Sequence, residues 1–130
     1  MADAPKNTSE AMKYLKDHEI KYVDLRFTDT RGKMQHVTQD ISTIDEDVFA
    51  DGLMFDGSSI AGWKAINESD MVLMLDPTSL HLDPFYAQKT AATLCDILEP
   101  GTGEAYHRDP RTTAKNAAAY VKSTRLGAPL

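Results

Sequence analysis

The chain has one cysteine, Cys95, so no internal disulfide can staple it, and a reducing cytoplasm is the expected compartment. No apolar run approaches the ~20 residues that a membrane helix needs. The first residues, Met1–Asn7, are polar and include an acid, unlike a signal peptide. No membrane partner is therefore expected. There is no Lys/Arg block to offset a formal net charge of −6, which disfavours a nucleic-acid surface. The phosphate-loop pattern Gly-x-x-x-x-Gly-Lys-Ser/Thr is missing, as is Gly-x-Gly-x-x-Gly. His18, His36, His81 and His107 lie too far apart to make a local metal motif. Repeats and low-complexity tracts are absent too. What remains is 130 residues, 42% hydrophobic and 26% charged, enough for one globular domain with a core.

Against that background one stretch stands out, Met54–Trp63. Met-Phe-Asp-Gly-Ser-Ser-Ile-Ala-Gly-Trp has neither helical nor strand period. Its glycines and serines give backbone freedom and local hydrogen-bonding partners. Phe55, Ile60 and Trp63, the only Trp, would anchor it, and Asp56 is its only charge. The composition suits an ordered loop that presents a carboxylate and hydroxyls. Two readings of Asp56 stand: a tight turn in which it accepts the Ser58 N–H, or a site carboxylate that faces a polar or cationic ligand with Ser58 or Ser59.

In chain order, Thr8-Ser9-Glu10 offers N-cap chemistry for a helix over about Ser9–His18. Tyr22–Thr28 alternates with period two, and Lys33–Thr38 reads as its returning partner in a hairpin. Ser42–Asp47 opens another helical signal, with acids in the first turn and Gly52 as the stop. Met71–Leu75 is a continuous apolar run, expected as a strand buried on both faces. Leu80–Leu82 and Thr90–Leu98 read as two further strands, the second enclosing Cys95 as a buried, inert thiol. Asp109-Pro110 is the strongest helix start: an N-cap acid, then Pro at the first position. That helix should run to about Arg125 with Ala114, Ala117, Ala118, Tyr120 and Val121 on its buried side. Four or five strands and two or three helices in irregular order predict an α+β fold with a mixed or antiparallel sheet.

Several segments, in order, resemble one family. Phe55-Asp56-Gly57-Ser58-Ser59-Ile60-Ala61-Gly62-Trp63-Lys64 and Asn67-Glu68-Ser69-Asp70-Met71 resemble the amino-terminal domain of bacterial type I glutamine synthetases. So do Lys21–Asp29, Gln35–Thr38, Asp83–Phe85, Cys95–Gly101 and Arg108–Arg111. The resemblance spans about Ser9 to Tyr120. Ala61 stands where a Gly is more usual before Gly62.

The resemblance implies a β-grasp-like domain over residues 1–109, with 110–130 as a helix and tail leading toward a catalytic domain. It implies a role in a glutamate–ammonia ligase, which joins ammonium to glutamate through γ-glutamyl phosphate. In that family Mg or Mn with ATP is held by the large carboxy-terminal domain, and active sites lie between subunits of a homo-oligomeric ring. By the same likeness Asp56 binds ammonium and draws off its proton, with Ser59 beside it. Trp63 and Asp70 then stand at the inter-subunit edge. Family chains continue for several hundred residues past the counterpart of Leu130. The metal-ligand glutamates and nucleotide contacts are therefore expected outside this sequence, and these 130 residues alone are expected to be inactive. A second reading is a stand-alone β-grasp module that binds or docks without catalysis, for example onto full-length subunits.

Overall fold

The computed structural model describes residues 4–60 and 70–124. Helix α1 spans Thr8–Asp17 and is capped by Asn7, whose side chain accepts the Glu10 N–H. Strands β1 (Tyr22–Thr28) and β2 (Met34–Asp40) form the expected hairpin, paired from Tyr22↔Asp40 to Thr28↔Met34. Helix α2 (Glu46–Asp51) is capped by Asp45 and stopped by Gly52, at φ 81°. Strands β3 (Leu53–Asp56), β4 (Asp70–Leu75), β5 (His81–Asp83) and β6 (Thr90–Leu98) follow, then helix α3 (Pro110–Thr124).

The sheet runs β2-β1-β6-β4-β3, with β5 on β6. Among the described residues only the β1–β6 pairing is parallel; the other pairings are antiparallel. This is the α+β class with a mixed sheet that the sequence predicts. Its centre is β6, and accordingly Ala91, Ala92, Thr93, Cys95 and Ile97 are fully buried. Ala11 and Leu15 of α1 and Phe49 of α2 close over Val23, Leu25, Phe27, Met71 and Leu73.

Three local expectations change. The front of the Met54–Trp63 stretch is not loop: Leu53–Asp56 pairs with β4, from Leu53↔Leu73 to Asp56↔Asp70. Four residues are too few for a period to declare itself, so only the pairing reveals the strand. The apolar run of β4 is buried on one face; Met71, Leu73 and Leu75 point inward, while Val72 and Met74 are half-covered. Helix α3 begins where Asp109-Pro110 places it, but none of its residues is buried. Tyr120 is 67% exposed and Val121 40%. The helix is held at its first turns alone, so the alanine side has no cover among the described residues.

Candidate functional site

Strand β3 delivers Asp56 to its end, and the chain then folds into a single 3-10 turn over Gly57–Ser59. Asp56 Oδ1 accepts the Ser58 N–H at 2.9 Å and the Ser58 hydroxyl at 2.7 Å. The Ser59 hydroxyl donates to the Asp56 carbonyl at 2.9 Å. Two anchors hold the turn: Ile60 is buried in the core, and the Phe55 ring rests against Phe27 with centroids 5.2 Å apart. Asp56 and Ser59 are exposed, and Ser58 is half-buried. Asp70, the first residue of β4, is also exposed and lies directly across from Asp56. The register thus brings two expected site residues, Asp56 and Asp70, to one end of the sheet beside Ser59. The fourth, Trp63, lies outside the described residues.

The Asp56 turn recurs twice more. Asp40 accepts the N–H and hydroxyl of Ser42 at 2.9 and 2.6 Å, and Thr43 donates to the Asp40 carbonyl. Asp76 Oδ1 accepts the N–H and hydroxyl of Thr78 at 3.0 and 2.6 Å, and Ser79 donates to the Asp76 carbonyl. The sequences are Asp-Ile-Ser-Thr, Asp-Gly-Ser-Ser and Asp-Pro-Thr-Ser. Each uses an acid as N-cap and two hydroxyls to satisfy a one-turn helix. The tight-turn reading of Asp56 is therefore realised, and it is compatible with a ligand role. At Asp76 the same turn holds a cation as well: Oδ2 accepts the Arg111 guanidinium at 2.6 Å. Burial raises the Asp76 carboxyl, and the hydrogen bonds from Thr78 and Arg111 outweigh it, holding it below its usual value.

A second polar cluster lies on β1. The Asp24 side chain, 1% exposed, accepts from Arg26 Nε at 2.8 Å, from Thr38 Oγ1 at 2.9 Å and from His36 Nδ1 at 2.7 Å. Arg26 also reaches Asp83. Burial pushes the Asp24 carboxyl up, and the three hydrogen bonds hold it below its ordinary value. The period-two alternation of Tyr22–Thr28 sets Asp24 and Arg26 on the face opposite Val23, Leu25 and Phe27, so the sequence alone would leave Asp24 outward. Its burial follows from the hairpin register, which sets His36 and Thr38 beside it. All three donors come from the hairpin itself, Arg26 from β1 and His36 and Thr38 from β2.

Asp109 is buried at the start of α3. It accepts the N–H groups of Ile97 and Arg111, each at 3.0 Å, yet desolvation still holds its carboxyl above the usual value. Cys95 is buried and its thiol is pushed far up by desolvation, consistent with an inert core residue. Among the described residues, no three His, Cys, Asp or Glu side chains converge as metal ligands. Nor is any helix there long and apolar enough to cross a membrane.

The profile of the family described as "Glutamine synthetase, beta-Grasp domain" matches residues 19–100. A glutamine synthetase of Rhizobium meliloti (strain 1021) is 63% identical over 119 residues, which cover 92% of this chain and 25% of that protein. One from Bradyrhizobium diazoefficiens is also 63% identical, over 122 residues, 94% of this chain and 26% of the relative. A 3-hydroxylaminophenol mutase of Cupriavidus pinatubonensis is 52% identical over 121 residues, 93% of this chain and 26% of its own length. The chain thus spans about a quarter of the length of the curated relatives it matches. A Plasmodium falciparum glutamine synthetase solved by cryo-electron microscopy superposes with a TM-score of 0.84. The match covers 95% of this chain and 24% of that one; at 24% identity it speaks for the fold alone.

Proposed function

The chain belongs to the glutamine synthetase family, as its amino-terminal β-grasp domain, and we propose that it supplies the ammonium side of a synthetase active site. The observation that carries this reading is the exposed pair Asp56 and Asp70, paired at the end of β3 and β4 beside Ser59, on a turn anchored by Ile60 and Phe55. An anionic carboxylate attracts ammonium and can accept its proton. The nitrogen lone pair is then free to attack the acyl carbon of γ-glutamyl phosphate, formed from glutamate and ATP with release of ADP, and phosphate leaves as the C–N bond forms. In this reading Asp56 is the base, Ser59 sits beside the cation, and Asp70 and Trp63 line the edge shared with a neighbouring subunit. The residues to 109 form the grasp domain, and 110–130 lead toward the catalytic part.

In the same reading, Mg or Mn and ATP are held by the large carboxy-terminal domain of the full-length enzyme, a cytoplasmic homo-oligomer, as the family resemblance implies. A hybrid enzyme tests the proposal: this chain replaces the matching 119 residues of the Rhizobium meliloti synthetase. Glutamine formation by the hybrid, and none by the 130-residue chain alone, is the expected result. A soluble, assembled hybrid that phosphorylates glutamate but ignores ammonium would overturn it. The mutase relative gives this test its point, because a shared domain does not by itself fix the reaction.

A further inference from the structure

We infer that His36 is a modification site, an exposed imidazole whose Nε2 accepts a phosphoryl group from a phosphoramidate donor. The site does not depend on the Asp56 turn, since β2 is the edge strand at the far side of the sheet from β3. The His36 side chain is 53% exposed, yet its Nδ1 lies 2.7 Å from a carboxylate that is 1% exposed. Arg26 Nε and Thr38 Oγ1 donate to the same carboxylate, which fixes Asp24 in place behind the ring. An ionised carboxylate only accepts, and Asp24 titrates below its ordinary value, so Nδ1 carries the ring proton and donates it. The neutral ring then keeps its lone pair on Nε2. The bond to Asp24 is the ring's only hydrogen bond among the described residues, so Nε2 is open there.

Two other histidines supply the contrast. His18 and His81 also place Nδ1 2.9 Å from an oxygen, but these oxygens are the main-chain carbonyls of Tyr14 and Ser79. A carbonyl fixes the same tautomer without a full negative charge. A carboxylate both holds the tautomer and offsets the charge of a ring that becomes cationic, as the acid of a hydrolytic triad does. The step needs only the donor. The Nε2 lone pair attacks phosphorus, the new N–P bond forms, the P–N bond of the donor breaks, and ammonia leaves phosphoramidate with the bonding pair. The ring keeps its Nδ1 proton and becomes a phosphorylated imidazolium, its positive charge set against Asp24. Arg26 stands opposite His36 in the β1–β2 ladder and adds a positive charge on that face, shared with Asp24 and with Asp83 of β5. A single ring nitrogen does not make a metal centre, and no three ligands converge among the described residues.

The test treats the 130-residue chain with phosphoramidate at about pH 8, above the ordinary histidine range. Phosphorus NMR and mass spectrometry under alkaline conditions map the product. His36 should be phosphorylated roughly tenfold faster than His81, the exposed histidine backed by a carbonyl. The product at His36 should be the Nε2 isomer. His36→Gln should lose the fast phase and keep the slow one, and Asp24→Asn should bring the His36 rate down to that of His81. The decisive comparison lies within the unsubstituted chain, so it holds even where Asp24→Asn unfolds. Equal rates at His36 and His81, or an Nδ1 product at His36, would overturn the assignment. An Asp24→Asn chain that folds and reacts at the full rate would overturn it too.

Discussion

Asp56 stands directly across from Asp70 in the last pair of the β3–β4 ladder, two exposed carboxylates on neighbouring strands. Like charges placed opposite one another on a sheet are destabilising, so the pair is an arrangement that stability alone would not favour. Asp70→Asn should therefore stabilise the chain by about 0.2–1 kcal/mol. Thermal unfolding at low ionic strength measures this, and the gain should shrink in high salt. A loss of stability in Asp70→Asn would mean that the two acids are held by compensating partners.

Backbone conformation makes opposite predictions at two positions. Gly52 sits at φ 81°, and a Cβ there would run into the Val72 side chain and come 2.7 Å from the Leu73 carbonyl oxygen. Gly52→Ala should cost on the order of 3 kcal/mol, from the left-handed backbone and the overpacking together. Glu19 is the one non-glycine at positive φ among the described residues, at 53°. Glu19→Gly should stabilise by about 0.5–1 kcal/mol, because the exposed ion pair it gives up with Lys89 is worth little. Urea denaturation of the two variants would show shifts of opposite sign.

Three acids should act on the pH dependence of stability, Asp24 and Asp76 in one direction and Asp109 in the other. Asp24 and Asp76 titrate below their ordinary value in the fold. The stability they contribute is present above the unfolded value of 3.8 and is lost as pH falls through the folded values. Asp109 titrates above its ordinary value, so its protonated form is favoured by folding, and its contribution falls as pH rises from 3.8 through the folded value. Asp24→Asn should flatten the acid limb of a stability-versus-pH curve. Asp109→Asn should be destabilised throughout, since an amide cannot accept both the Ile97 and Arg111 N–H groups.

Helix α3 is docked by charge. Arg111 bridges Asp76 at 2.6 Å and Asp96 at 3.2 Å, Lys115 reaches Asp96 at 2.6 Å, and no residue of the helix is buried. A 15-residue helix without packing is marginal in water. Arg111→Leu, or high salt, should therefore raise amide exchange over residues 110–124 while β1 and β6 keep their protection. Equal loss across sheet and helix would contradict this.

The sheet was largely legible in the sequence because β1 alternates over seven residues and β6 is bounded by turn signals. Strand β3 was not, since four residues ending in Asp-Gly-Ser-Ser carry no period of their own. The buried state of Asp24 was hidden because its partners His36 and Thr38 reach it across the hairpin. The amphipathic pattern of α3 marks a face but cannot name what covers it. At the candidate site, Asp56 and its turn bond to Ser58 could be anticipated, whereas the closeness of Asp56 to Asp70 needed the strand register. The recurrence of Asp-x-Ser/Thr-Ser/Thr at Asp40, Asp56 and Asp76 was in the sequence, available to a comparison of those three stretches.

The most direct test of the central claim is single-turnover trapping of acyl phosphate by the hybrid enzyme carrying Asp56→Asn, with and without ammonium. The substitution keeps the shape of the side chain and removes both its charge and its basicity. Glutamate phosphorylation should proceed normally, while glutamine formation falls by roughly 10²–10⁴-fold and the ammonium KM rises. Glutamine formed at the unsubstituted rate, with unchanged ammonium dependence, would show that Asp56 serves only its turn.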